Sequence, residues 1–204
     1  DKRTGSEVVF HMPKECPVCG HPTVRKEGEV AIRCSNEHCP AIEKESIIHF
    51  ASRDAMNIDG LGPQIIDSLI ANKIIENVVD LYHLREETLV SMDRMGKKSA
   101  QNLLKAIEDS KTRGLDRVLF GLGIRLIGSK AATTLAKTVV TMDRFMTISK
   151  EELTAVDEIG PTMAESIIDF RNNPRNQALI EGLRQAGLTL HMEVEEAAGH
   201  EMEG

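Results

Sequence analysis

The sequence predicts a mostly α-helical protein headed by a small four-cysteine module built on a β-hairpin. Four cysteines fall in two close pairs, Cys16 with Cys19 and Cys34 with Cys39. A glycine recurs at Gly62, Gly96, Gly128 and Gly160, each time between apolar patterns of helical period. The chain has no tryptophan, one tyrosine and 3% aromatic residues, which leaves few flat platforms for stacking the bases of a single strand.

The 204 residues, 41% hydrophobic and 28% charged, suffice for one ordinary domain or two small ones with real cores. No apolar run approaches the roughly 20 residues that cross a bilayer, and the N-terminus lacks the apolar stretch of a signal peptide. A soluble cytosolic chain with no membrane partner is expected, and in that compartment cysteines hold metal more often than they form disulfides. The net charge of −7 is concentrated at one end. Residues 191–204, "HMEVEEAAGHEMEG", carry five glutamates and no lysine or arginine, leaving 27 acidic against 25 basic side chains in residues 1–190. The body is nearly neutral, so local clusters of charge decide its partners, and the tail reads as an acidic linker.

The first element is the segment 13–45. The pairs Cys16-x-x-Cys19 and Cys34-x4-Cys39, with fourteen residues between them, can set four thiolates around one tetrahedral ion. Val24, Val30 and Ile32 lie on either side of "KEG", which predicts a two-stranded hairpin that brings the pairs together. Free buried thiols and a redox dithiol are the competing readings, and a redox site needs only one pair. His21 and His38 are read as surface residues because four cysteines already close the site. A closed set leaves no position for water, so this zinc folds the segment and catalyses nothing.

Residues 46–190 form the repeat. Its glycines are spaced by 34, 32 and 32 residues. Four residues before them stand Ile58, Met92, Ile124 and Val156, and immediately before them Leu61, Met95, Ile127 and Ile159. Four after come Ile66, Ala100, Ala132 and Ala164, and seven after Leu69, Leu103, Leu135 and Ile167. These offsets place one apolar face on the helix that follows each turn. Apolar-x-x-apolar-x-Gly-apolar-Gly leading into a helix resembles the helix-hairpin-helix motif, with hairpins near 60–62, 94–96, 126–128 and 158–160. Glycine lets the backbone come close to another molecule, and the helix behind it begins with unpaired N–H groups that favour an anion. Each turn therefore predicts a phosphate cradle. A single such turn with a capping glycine would be ordinary; four in phase are not.

The expected DNA-binding residues follow from those turns: Gly60, Gly62 and Gln64 in the first, Arg94, Gly96, Lys97 and Lys98 in the second, Arg125, Gly128 and Lys130 in the third, Gly160 and Thr162 in the fourth. Arg94, Leu126 and Glu158 occupy the place that Gly60 has in the first turn. Those turns are expected to use φ values open to a side chain, or to make fewer backbone contacts. "NVVDLYHLREETL" and "TVVTMDRFMTISKEEL" lead into the second and fourth turns alike, so the array reads as two double units. A double unit offers its two hairpins to the two strands of a duplex across the minor groove, contacting backbone rather than sequence.

A four-cysteine module followed directly by four such units resembles the C-terminal half of a bacterial NAD-dependent DNA ligase. The resemblance rests on "MPKECPVCG" and "CSNEHCPA" around the metal, then on "NIDGLG", "GKKSAQNLLKAIEDSK" and "LGIRLIG" along the repeats, and runs from about residue 7 to residue 190. It implies an adenylation domain and an oligonucleotide-binding domain ahead and a BRCT domain behind. Residues 1–12 would then end the oligonucleotide-binding domain and its linker, residues 191–204 would be linker, and both termini read as cuts. It further implies nicked double-stranded DNA as partner, a monomer, a bacterial cytoplasm at the nucleoid, and roles in DNA replication and repair. The family's nucleophile is the lysine of a Lys-x-Asp-Gly motif, whereas Asn57-Ile58-Asp59-Gly60 has an amide there, which is no nucleophile. No catalytic residue is assigned, and NAD and magnesium are expected to bind outside this segment. Two other classes use the same hairpins. A non-catalytic helix-hairpin-helix adaptor would not explain the zinc module ahead of them, and a DNA repair glycosylase carries a single copy with a catalytic residue downstream.

Overall fold

A computed structural model describes residues 8, 10–25, 27–28 and 30–193, and among these the chain divides into two compact units, Asp1–Glu45 and Ser46–Gly204. Most of the expected leading segment 1–12 and acidic tail 191–204 lies outside the described residues.

In the first unit, β1 (Thr23–Arg25) pairs antiparallel with β2 (Ile32–Cys34) in the register Thr23↔Cys34, Val24↔Arg33, Arg25↔Ile32. The predicted hairpin is present, with Val24 and Ile32 in the strands and Val30 exposed just before β2. Three-residue strands bury little. Val24 stays 44% exposed, and the buried apolar side chains of this unit among the described residues are those of Cys16 and Cys39. Two strands with so small a core do not hold together unaided in water.

Helix α1 (Pro40–Ala51) crosses the division, and from it onward the chain is helical. It continues through α2 (Pro63–Ala71), a 3-10 helix (Val78–His83), α3 (Glu86–Val90), α4 (Lys97–Ser110) and α5 (Leu115–Gly121). Then come α6 (Ser129–Val139), α7 (Met142–Thr147), α8 (Lys150–Thr154), α9 (Pro161–Asn172) and α10 (Pro174–Gln185). The sixteen apolar positions read from the glycine register are all buried, from Ile66, Ala100, Ala132 and Ala164 at 0% exposure to Met92 at 9%. They belong to one hydrophobic core that runs from Ile47 to Leu190. The two lead-in runs begin alike, Asn77 closing a capping box on the 3-10 helix and Thr141 capping α7. A second capping box, from Ser149, starts α8.

The core is closed by residues 189–192, which carry no helical or strand pattern. Thr189 donates to the Lys111 carbonyl (2.8 Å), the His191 carbonyl accepts from Leu115 (3.3 Å), the Leu190 carbonyl accepts from Met142 (2.9 Å), and Met192 donates to Val140 (2.8 Å). The strap thus stitches the α4–α5 connection to the α6–α7 connection.

Tight packing makes one glycine essential to this core. A Cβ on Gly182 in α10 would lie 2.8 and 2.9 Å from the two methyls of Val79. A mid-helix glycine usually gains about 0.5–1 kcal/mol when replaced by alanine. At Gly182 the sign reverses, because the β-branched Val79 side chain cannot rotate away. Gly182→Ala is expected to destabilise the helical unit by about 1–3 kcal/mol in urea unfolding; unchanged or raised stability would show that the two elements part freely.

Candidate metal centre and nucleic-acid interface

The four cysteine sulfurs all lie within 4.8 Å of one another, and they form the sole such cluster of potential ligands among the described residues. Cys16 Sγ stands 3.8 Å from Cys39 Sγ, and Cys19 Sγ 3.4 Å from Cys34 Sγ. Zinc–sulfur bonds of about 2.3 Å give a tetrahedron with edges of about 3.8 Å, so the set fits the ion. Two turns build it. In the first, Gly20 at φ 71° donates to the Cys16 carbonyl (2.9 Å) and the His21 carbonyl accepts from Cys16 N–H (2.7 Å). In the second, Asn36 N–H donates to Cys34 Sγ (3.4 Å), while Cys39 N–H donates to the Asn36 carbonyl (3.1 Å).

Backbone N–H groups and burial tune the thiols. The His21 N–H brings Cys19 down to about 6, and the N–H groups of Cys19 and Val18 lower Cys16. Burial pushes Cys34 up to about 12, with the neighbouring sulfurs adding to the rise. Without a cation the four sulfurs cannot ionise together; a divalent ion removes that conflict. His21 and His38 are exposed and stand outside the cluster, and the His21 ring lies 3.2 Å from the Cys19 carbonyl through Nδ1.

The glycine-centred turns share one geometry. Gly60, Arg94, Leu126 and Glu158 take φ of 82°, 64°, 67° and 69°. The next residue in each, Leu61, Met95, Ile127 or Ile159, donates its N–H to the carbonyl three residues back at 3.0–3.3 Å. The following glycine is the N-cap of a helix, at φ −75° to −80° and ψ 158° to 176°, for α2, α4, α6 and α9 alike. Three turns therefore hold a left-handed residue that carries a Cβ, a conformation that is allowed but unfavourable.

Gly62, Gly96, Gly128 and Gly160 have ordinary extended dihedrals, and a Cβ on any of them would meet nothing within 4 Å. Nothing among the described residues demands glycine there. The same four helices have no side-chain cap and no acidic residue in their first turn. Every other helix among the described residues has a capping side chain or a carboxylate at its start: Glu43, Asn77, Glu86, Asp116, Thr141, Ser149 and Asn173 serve α1, the 3-10 helix, α3, α5, α7, α8 and α10. Only at the starts of α2, α4, α6 and α9 do a glycine N-cap and a first turn free of carboxylates coincide, leaving the orphan N–H groups open to an external anion that the helix dipole favours.

The charged residues expected at these turns are placed unequally. Lys97 and Lys98 are exposed in the first turn of α4, and neither is in an ion pair with a described residue. Arg94 is exposed and 3.9 Å from Asp93. Gln64 and Thr162 are exposed in the first turns of α2 and α9. Arg125 is half-buried, and its carbonyl accepts from Ser166 Oγ at 2.6 Å. Lys130 is in an ion pair with Glu158. That contact bridges the third and fourth turns and ties up a cation the third was expected to present.

Two arginines outside the repeat register support the first turn. Arg113 donates through Nε to the Met56 carbonyl (3.2 Å), and Arg117 through Nη1 to the carbonyls of Arg53 (3.1 Å) and Asp54 (2.8 Å). They hold the loop that leads into it. Nothing in the periodicity of the sequence marks them.

Known families match along the chain. Residues 15–41 match the NAD-dependent DNA ligase C4 zinc finger domain, residues 52–109 a SAM-like helix-hairpin-helix tandem, and residues 117–180 a helix-hairpin-helix motif. A DNA ligase of Brevibacillus brevis is 52% identical over 192 residues, which cover 93% of this chain and 29% of that protein. One of Shouchella clausii is 53% identical over 190 residues, covering 93% and 28%, and one of Bacillus subtilis 50% identical over 188 residues, covering 92% and 28%. The chain spans less than a third of the length of these curated relatives.

Proposed function

We propose that this chain, which carries the C4 zinc finger and the helix-hairpin-helix segments of a bacterial NAD-dependent DNA ligase, is that enzyme's duplex-gripping segment. The observation that carries the proposal is the starts of α2, α4, α6 and α9, which have a glycine N-cap, no side-chain cap and no acidic residue, where every other described helix is capped or acidic. Each turn cradles a backbone phosphate, and two adjacent turns straddle the minor groove, one on each strand. Such contacts read the shape of a nicked duplex rather than its sequence. The four hairpins act as two double units behind the zinc finger of residues 13–45, within a helical domain of residues 46–190. The segment is monomeric and works in the bacterial cytoplasm at the nucleoid, in replication and repair.

Sealing chemistry belongs to the rest of the parent enzyme, where NAD and magnesium bind. Asn57 stands where a nucleophilic lysine would be needed, and its amide cannot take up AMP. The chain alone is expected to bind intact and nicked duplexes of unrelated sequence, to bind single strands weakly, and to seal no nicks with NAD and magnesium supplied. Titration of the three DNAs over a range of salt, with a sealing assay on the same preparation, tests it. Nick sealing by the pure chain, or preference for single strands, would refute the assignment. A Lys-x-Asp-Gly motif upstream in a longer reading frame separates a ligase from a non-catalytic adaptor.

A further inference from the structure

We propose that Leu126, at the tip of the third turn, is an apolar contact residue that lies against the deoxyribose faces of the minor groove, beside the phosphate held at the start of α6. The proposal rests on the duplex-gripping function above and names a residue of that interface which neither charge nor glycine reveals.

Leu126 is unfavourable twice over in the free chain. Its backbone is left-handed at φ 67°, where a bulky side chain without a local hydrogen-bonding group is rare. Its side chain is 50% exposed, although the flanking apolar residues of the same turn, Ile124 and Ile127, are 2% and 6% exposed. Among the described residues of the helical unit, Leu126 and Val90 are the exposed large hydrophobics, and Val90 has an ordinary helical backbone. The equivalent positions hold Gly60, which tolerates the left-handed backbone, and Arg94 and Glu158, whose ends are soluble. Only the third turn combines strain with a bare apolar tip.

The place of that tip supplies the reason. Two residues on, Gly128 caps α6 with its N–H groups open, so a phosphate seated there brings the adjoining sugar against residue 126. The sugar edges that line a minor groove are its apolar surface, and leucine is among the residues that proteins place in that groove. Lys130 is in an ion pair with Glu158, so apolar contact suits this turn better than added charge.

The test uses the 204-residue chain with Leu126→Asn and Leu126→Met. Asparagine tolerates the left-handed backbone and removes the apolar surface; methionine keeps that surface. Leu126→Asn should melt at or above the wild-type temperature, bind duplex DNA about tenfold more weakly, and keep the wild-type slope of log affinity against log salt. Leu126→Met should bind within about twofold of wild type. Wild-type affinity in the asparagine variant, with the Lys97→Ala, Lys98→Ala double variant weakened, would overturn this proposal and leave the duplex grip standing. An altered salt slope in the asparagine variant would also overturn it, because the contact carries no charge. Failure of the wild type itself to bind duplex would overturn both.

Discussion

Stripping zinc from this chain is expected to unfold residues 13–41 and leave the melting of the helical unit unchanged. The strands of the hairpin are three residues each, Val18 and Val24 are 57% and 44% exposed, and Cys16 and Cys39 are the buried apolar residues of that unit among those described. So small a core cannot offset the chain entropy of ordering some thirty residues. A structural zinc with four thiolates contributes about 10–16 kcal/mol of apparent binding free energy, which becomes the folding free energy of the segment. The helical core from Ile47 to Leu190 includes no residue of the first unit. Metal analysis of protein purified without chelator should return one zinc per chain, and Cys34→Ser should release it. Limited proteolysis should then cut within residues 13–41 while the helical circular dichroism persists. Less than about half an equivalent of zinc in the wild type would sink the four-thiolate site.

The Lys97→Ala, Lys98→Ala double variant is expected to weaken duplex binding equally on unrelated DNA sequences and to flatten the salt slope by about one to two units. Both lysines are exposed in the first turn of α4, behind the N-cap Gly96, and make no ion pair with a described residue, so each remains available to a phosphate. Every phosphate they neutralise releases condensed counterions, with a slope near 0.9 for each contact on duplex DNA. Gly96→Ala provides the uncharged control. Its Cβ would meet nothing within 4 Å inside the chain, so melting should barely move, while the methyl blocks the approach of a phosphate and binding falls with the slope kept. If the lysines were only a solvated helix face, the double variant would bind like wild type at every salt concentration. That result would remove α4 from the interface.

Lys130 shows why charge counted along the chain misjudges such an interface. It sits two residues after its glycine, as Lys98 does, but Glu158 arrives from a turn 28 residues away and holds it. An exposed pair of this kind is worth little in stability. It still takes up one of the two cations, Arg125 and Lys130, that the third turn was expected to present.

Two kinds of information were readable in the residue order. Thiol spacing specified the metal ligands, because the pairs sit in short local turns and four sulfurs around one ion leave a single arrangement of the set. The glycine register specified the core, because helical period is a local property: all sixteen offset positions, from Ile58 to Ile167, are buried. What required the folded chain was contact between segments that share no period. Arg113 and Arg117 hold carbonyls 57 to 64 residues earlier, residues 189–192 strap two helix connections, and Gly182 is compelled by the methyls of Val79. The left-handed backbone at Arg94, Leu126 and Glu158 likewise came from the surrounding turn overriding what those side chains prefer. Periodicity records which face of a helix turns inward; which side chains from distant turns then meet, and which remain open to a phosphate, depends on how those helices pack.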